Sequence, residues 1–130
     1  MKYLFRGGTV VSGRGTRRAD VLVEDEKILR VARSITAPEA AVIDVEGQLL
    51  LPGFIDGHVH MIGGGGEGGY HTRTPELLLS KVTTSGVTTV CGLLGTDGTT
   101  RHVESLLAKA RGLEYEGLST YIYTGAYELP

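Results

Sequence analysis

The sequence has a single cysteine, little net charge and no long hydrophobic run, and each scarcity narrows the field. With Cys91 alone, no intramolecular disulfide can form, and a reducing, cytoplasmic setting fits. A formal net charge of −2 gives no reason to expect nucleic acid or an anionic membrane as partner. The opening MKYLFRGG places only Leu4 and Phe5 together before Arg6, too short for the apolar core of a signal peptide. No later run approaches the length of a membrane span. What the chain has in excess is glycine, 20 of 130 residues against a usual share of about 7%. Eight of them lie between Gly53 and Gly69, so the excess is local. A hydrophobic share of 41% is compatible with a packed core.

Residues 1 to 51 read as short strands separated by turns: Lys2 to Phe5, Thr9 to Val11, Asp20 to Glu24, Ile28 to Ala32, Ala41 to Val45 and Gln48 to Leu51. Glu24 to Lys27 suggests a hairpin, and Glu46-Gly47 a second turn. After Pro52-Gly53 the pattern changes. Phe54 to His60 reads as a strand, and Thr74-Pro75 as an N-cap and first position of a helix through Leu77, Leu78 and Val82, which Gly86 ends. Val87 to Leu94 is a second strand. Val103, Leu106, Leu107 and Ala110 recur at helical spacing within Arg101 to Leu113, and Ser119 to Tyr123 is a third strand. These strands begin about 32 residues apart, and eight such units make about 250 residues, the length of a (β/α)₈ barrel. The expected architecture is α/β: a small β domain over residues 1–53, then the first three barrel strands and their helices over 54–130.

The stretch PGFIDGHVHMIGGGGE, from Pro52 to Glu67, carries the strongest chemical signal. Alternate strand residues point to the same face, so His58 and His60 can reach one metal ion while Val59 packs behind them. Neutral imidazole suits zinc, although a catalytic ion needs about three protein ligands and this pair supplies two. An HxH pair by itself is also compatible with packing or surface histidines. Its position at a strand end, followed by a glycine run and a carboxylate, places it where barrels put their chemistry. His71, beyond the glycine loop, and His102, near a helix start, read as exposed or capping residues. Lys81 and Lys109 fall on helices outside the barrel mouth, and Cys91 reads as inert core.

PGFIDGHVH resembles the first barrel strand of the amidohydrolase superfamily, and ADVLVEDEKILRVA with VIDVEGQLLLPG resembles its small β-sandwich. GGGGEGG (63–69), TRTPE (72–76), GLLGTD (92–97) and TGAY (124–127) narrow the resemblance to the isoaspartyl, or β-aspartyl, dipeptidases. The likeness extends over essentially the whole chain and corresponds to the N-terminal portion of such an enzyme. It implies zinc-dependent hydrolysis of β-aspartyl dipeptides, with a hydroxide between two zinc ions attacking the side-chain amide carbonyl. His58 and His60 match the pair binding the more buried ion. Gly65 and Glu67 match the loop holding the free α-amino end of the substrate. Thr96 matches a further substrate contact, and Tyr127 a catalytic phenol that also binds the scissile carbonyl.

Each residue also has a plainer reading: Glu67 as a solvated carboxylate, Thr96-Asp97 as turn chemistry, Tyr127 as packing. The resemblance implies further ligands absent from residues 1–130: a carboxylated bridging lysine, two histidines and a catalytic aspartate. The 130 residues alone are therefore expected to be inactive, and the complete enzyme a homo-oligomer taking a small dipeptide. A hydantoinase or dihydroorotase would share the HxH strand and stands as the alternative, beside a truncated fragment without catalysis.

Overall fold

The sequence divides Lys2 to Val11 into two strands, yet the chain forms one, β1 (Lys2–Ser12). The interruption is a bulge between Phe5 and Gly8, with Gly7 at φ 79°. The Gly7 amide donates to Oδ1 of Asp20 at 2.9 Å, and Oδ2 of the same carboxylate takes the amide of Ile35 at 2.9 Å. Asp20 is buried, and these bonds satisfy groups that the bulge and the following loop would otherwise leave unpaired.

The computed structural model describes residues 1–125, which fall into two units divided after Pro52. In the first unit, β2 (Gly15–Glu24) and β3 (Lys27–Ala32) follow β1 as an antiparallel meander. The expected hairpin at Glu24 to Lys27 is present, with Asp25 in the left-handed region at φ 51°. On its other edge β1 pairs in parallel with β4 (Ala41–Asp44) and β5 (Leu49–Leu50). The Gln48 amide closes the intervening turn onto the Val45 carbonyl at 3.0 Å. The sheet order is β3-β2-β1-β4, with β5 also on β1, and Leu4, Ile35 and Ala37 form its small core.

The second unit holds three parallel strands, β6 (Phe54–Val59), β7 (Val87–Gly92) and β8 (Ser119–Ile122), in the order β6-β7-β8. Parallel neighbours need crossovers, and helices supply them. The helix α2 (Val103–Tyr115) buries Leu106, Ala110 and Leu113 in a core with Met61, Val82, Val90 and Leu94. Leu107, expected on the inner face, is 43% exposed. Arg101 precedes the helix rather than beginning it, and His102 is the N-cap.

The other helix differs more from expectation. The helix α1 (Leu79–Thr83) is a single short turn, and residues 74–78 are not helical. Thr74 does not cap: its amide and hydroxyl are committed to Gly64, and the Leu77 amide donates to Met61 at 3.0 Å. Backbone bonds to the preceding loop thus replace the first helical turn. Gly86, at φ 74°, still turns the chain into β7. No helix among the described residues is long and apolar enough to cross a membrane.

Candidate active site

Parallel pairing brings the carboxyl ends of β6, β7 and β8 to one side. A cleft of about 520 Å³ opens there, lined by Gly57, His58, Leu93, Leu94 and Tyr123 to Gly125. Open parallel sheets characteristically bind ligands outside the carboxyl ends of their strands.

His58 ends on this cleft and is exposed; His60, two residues on, is half-buried, while Val59 between them packs against the core. The two imidazole rings stand edge to face with centroids 5.4 Å apart. Zinc–nitrogen bonds of about 2.0–2.1 Å at a tetrahedral angle put two such centroids about 5 Å apart, a spacing close to that of this pair. Nδ1 of His60 lies 3.3 Å from the Leu93 carbonyl. A carbonyl only accepts, so Nδ1 is the donor in this contact, and in the neutral ring Nε2 is the nitrogen left to coordinate. This is how metal-binding imidazoles are oriented by a neighbouring acceptor. Among the described residues no group of three or more His, Cys, Asp or Glu converges as a complete ligand set.

The glycine run is folded back on itself and pinned. The Gly64 amide donates to Thr74 Oγ1 at 2.8 Å, and the Gly64 carbonyl accepts from the Thr74 amide at 2.8 Å and its hydroxyl at 3.1 Å. Arg101, 6% exposed, donates from Nη1 to the Gly64 carbonyl at 3.1 Å and from Nη2 to the Thr74 carbonyl at 2.8 Å. Gly64 has to be glycine on grounds of space: a Cβ there would stand 2.9 Å from Cδ2 of His60. Gly95 is comparably close, its Cβ position being 3.3 Å from Cε1 of the same ring.

Thr96 donates its hydroxyl hydrogen to the Gly65 carbonyl at 3.2 Å, so these two sequence-derived candidates meet. Glu67 is exposed on the loop. Tyr127 lies outside the described residues. Asp97, read in the sequence as turn chemistry, accepts from the amides of Thr99 and Thr100 and from the Thr100 hydroxyl, and Arg73 Nε stands 3.1 Å from its Oδ2. The Thr100 hydrogen bonds, chiefly from its hydroxyl, hold the Asp97 carboxyl below the usual carboxylate range, with Arg73 adding to the shift. Of the other histidines, His102 exchanges bonds between its backbone and the Ser105 hydroxyl at the start of α2, and His71 is exposed in a single 3₁₀ turn, Tyr70–Thr72.

Arg101, Gly95 and Leu93 were not visible as site residues from the sequence. Gly95 sits inside the GLLGTD motif, which could have flagged it; an arginine at a helix start carries no such signal.

A β unit followed by parallel strands with crossover helices, the first strand ending in HxH, is the arrangement of an amidohydrolase's N-terminal portion, and the chain fits that portion. In particular, it is similar throughout to the β-aspartyl dipeptidase of Fervidobacterium islandicum AW-1, solved in complex with β-Asp-Leu dipeptide. The identity is 48%, covering 100% of this chain and 35% of that one, with a TM-score of 0.91. The dihydropyrimidinase of Brevibacillus agri NCHU1002 is 29% identical over 95% of this chain and 27% of that one, TM-score 0.64. Among curated proteins, dihydroorotase of Bacillus cytotoxicus is 42% identical over 97 residues, 74% of this chain and 22% of that protein. The chain therefore spans about a fifth to a third of the relatives it matches. No family model matches it.

Proposed function

We propose that the natural protein carrying these residues is a zinc-dependent β-aspartyl dipeptidase, and that this chain supplies one part of its site. The observation that carries the reading is the likeness to the Fervidobacterium dipeptidase, which extends from end to end of the chain. The paired imidazoles and the pinned glycine loop support it. The remaining ligands and the catalytic aspartate belong to residues beyond 130, and the 130 residues alone are inactive on this reading.

His58 and His60 would hold the ion, His60 through the Nε2 that its bond to Leu93 leaves free. When bound, such an ion makes a nucleophilic water available near neutral pH and polarises the scissile carbonyl. Glu67 is a carboxylate at the loop's outer side and pairs with the dipeptide ammonium, a charge-assisted contact that fixes the substrate end. Gly65 and Thr96, already bonded to each other, line the same side of the substrate. Tyr127 donates its phenolic hydrogen to the carbonyl oxygen as negative charge develops there. The same reading makes the complete protein a cytoplasmic homo-oligomer.

The identity to Bacillus dihydroorotases favours a second reading, cyclic-amide hydrolysis. Parallel assays of the natural protein on β-Asp-Leu, dihydroorotate and hydantoin separate the two. Turnover of β-Asp-Leu at least a hundredfold above the cyclic amides is expected; the reverse order would transfer the assignment to the second reading.

A further inference from the structure

We propose that Arg101 is a positioning residue for His60, acting through the backbone of Gly64; the proposal rests on the reading of His60 as a metal ligand. The His60 ring is held on three sides. Leu93 meets Nδ1, and the ring leaves no room for side chains beside it: a Cβ on Gly95 would stand 3.3 Å from Cε1, and one on Gly64 2.9 Å from Cδ2. Leu93 and Gly95 follow directly on β7, and the Leu93 amide donates to the Val59 carbonyl at 3.0 Å, so the sheet itself places this segment. Gly64 belongs to a loop of glycines with no side chain of its own to anchor, so its position has to be imposed from outside.

Arg101 imposes it. Its two terminal nitrogens bridge the Gly64 and Thr74 carbonyls, at 3.1 and 2.8 Å, and so tie together the neck of the loop that leaves at Gly64 and returns at Thr74. Thr74 closes the same neck with three bonds to Gly64. Gly63 shows how tightly the guanidinium fits: a Cβ there would stand 2.6 Å from Arg101 Nη2.

The arrangement is expensive for a purely structural contact. Arg101 is 6% exposed, its Nε is buried without a hydrogen-bond partner, and among the described residues no carboxylate lies within ion-pair distance. Burying a guanidinium against neutral carbonyls costs more than an aliphatic side chain would. What arginine alone offers is a planar fork that spans two carbonyls at once; lysine, with one nitrogen, reaches either but not both rigidly. The geometry thus sets a chain of support: Arg101 holds Gly64, Gly64 confines the ring, and the ring aims Nε2.

The test is zinc affinity of the natural full-length protein, measured by competition with a chromophoric chelator, alongside thermal unfolding of the metal-free form. Arg101→Met is expected to weaken zinc binding about 10- to 100-fold, the usual effect of removing a group that orients a ligand. Arg101→Lys is expected to fall between Met and wild type. Gly64→Ala, which leaves the guanidinium intact, is expected to weaken zinc binding comparably. Leu106→Ala serves as the control for mere loss of stability: it should lower the unfolding temperature and leave zinc affinity unchanged. Wild-type zinc affinity in both Arg101→Lys and Gly64→Ala, each folded, would overturn the proposal, even where Arg101→Met fails to fold. His60→Ala separates the two levels. If it loses zinc while the Arg101 and Gly64 variants do not, only the positioning role fails; if it retains zinc at wild-type affinity, both the role and the dipeptidase site fall together.

Discussion

Arg73 and Asp97 form an ion pair, Nε to Oδ2 at 3.1 Å, that ties the far end of the glycine loop to the turn after β7. With Thr96 bonded to Gly65 and Arg101 to Gly64, it makes a further link between the same two segments. Arg101 also reaches the Thr74 carbonyl, and the Tyr70 hydroxyl stands 3.4 Å from Thr99 Oγ1, so an ion pair and several hydrogen bonds hold one loop over the strand ends.

The Asp97 pair gives a pH dependence with a definite sign. Its carboxyl is held below the usual range by the Thr100 hydrogen bonds first and by Arg73 in addition. A depressed value in the folded state means the stabilisation is complete above the ordinary carboxylate range and is lost as pH falls through the lower, folded value. Asp97→Asn in the natural protein should therefore unfold at lower urea than wild type at pH 7, and the gap should close as pH drops below about 4. A gap that stays constant down to pH 3 would remove the charge of Asp97 from the account.

Glu67 is expected to act on substrate and not on metal. In the natural protein, Glu67→Gln should lower kcat/KM for β-Asp-Leu roughly 10- to 100-fold, equivalent to the loss of a charged hydrogen bond of about 1.5–3 kcal/mol. Zinc content should match wild type. Unchanged kinetics would return Glu67 to the solvated surface.

His58 is expected to act on metal directly. His58→Ala should lower bound zinc by at least one ion per site, measured by elemental analysis after dialysis. Full retention would mean that the edge-to-face pair is a packing contact.

Leu106 is fully buried at the centre of the second unit's core. Leu106→Ala should destabilise the natural protein by about 2–5 kcal/mol, read as a shift in the denaturant midpoint. A shift below 1 kcal/mol would mean that the core collapses around the vacancy.

Much of this was legible in the sequence because it depends on local pattern. His58 on β6 and the buried side of α2 at Leu106 and Ala110 follow from two simple periods, and the Glu24 to Lys27 hairpin from its polar turn; the strand expected to reach His60 ends one residue earlier, at Val59. Three features were not legible, each for a long-range reason. The first helix shortens because Thr74, 10 residues from Gly64 along the chain, spends its hydrogen bonds there instead of capping. Strand β1 stays whole because Asp20 supplies a partner to the Gly7 amide from the neighbouring strand. Arg101 reaches Gly64 across 37 residues, and no spacing rule joins an arginine before a helix to a glycine after a strand.

The pairing of β1 bears on how this polypeptide tolerates editing at its start. Chain termini are ordinarily the safest places to trim or to begin translation downstream. Here Lys2–Ser12 sits inside the sheet, with β2 on one edge and β4 and β5 on the other. Deleting it would leave the β2–β3 hairpin alone, and an isolated two-stranded hairpin is marginal in water. The only other methionine is Met61, and a product begun there would lose this entire sheet and both histidines of the pair. A deletion that reaches into Lys2–Ser12 removes the strand that joins the two halves of its sheet.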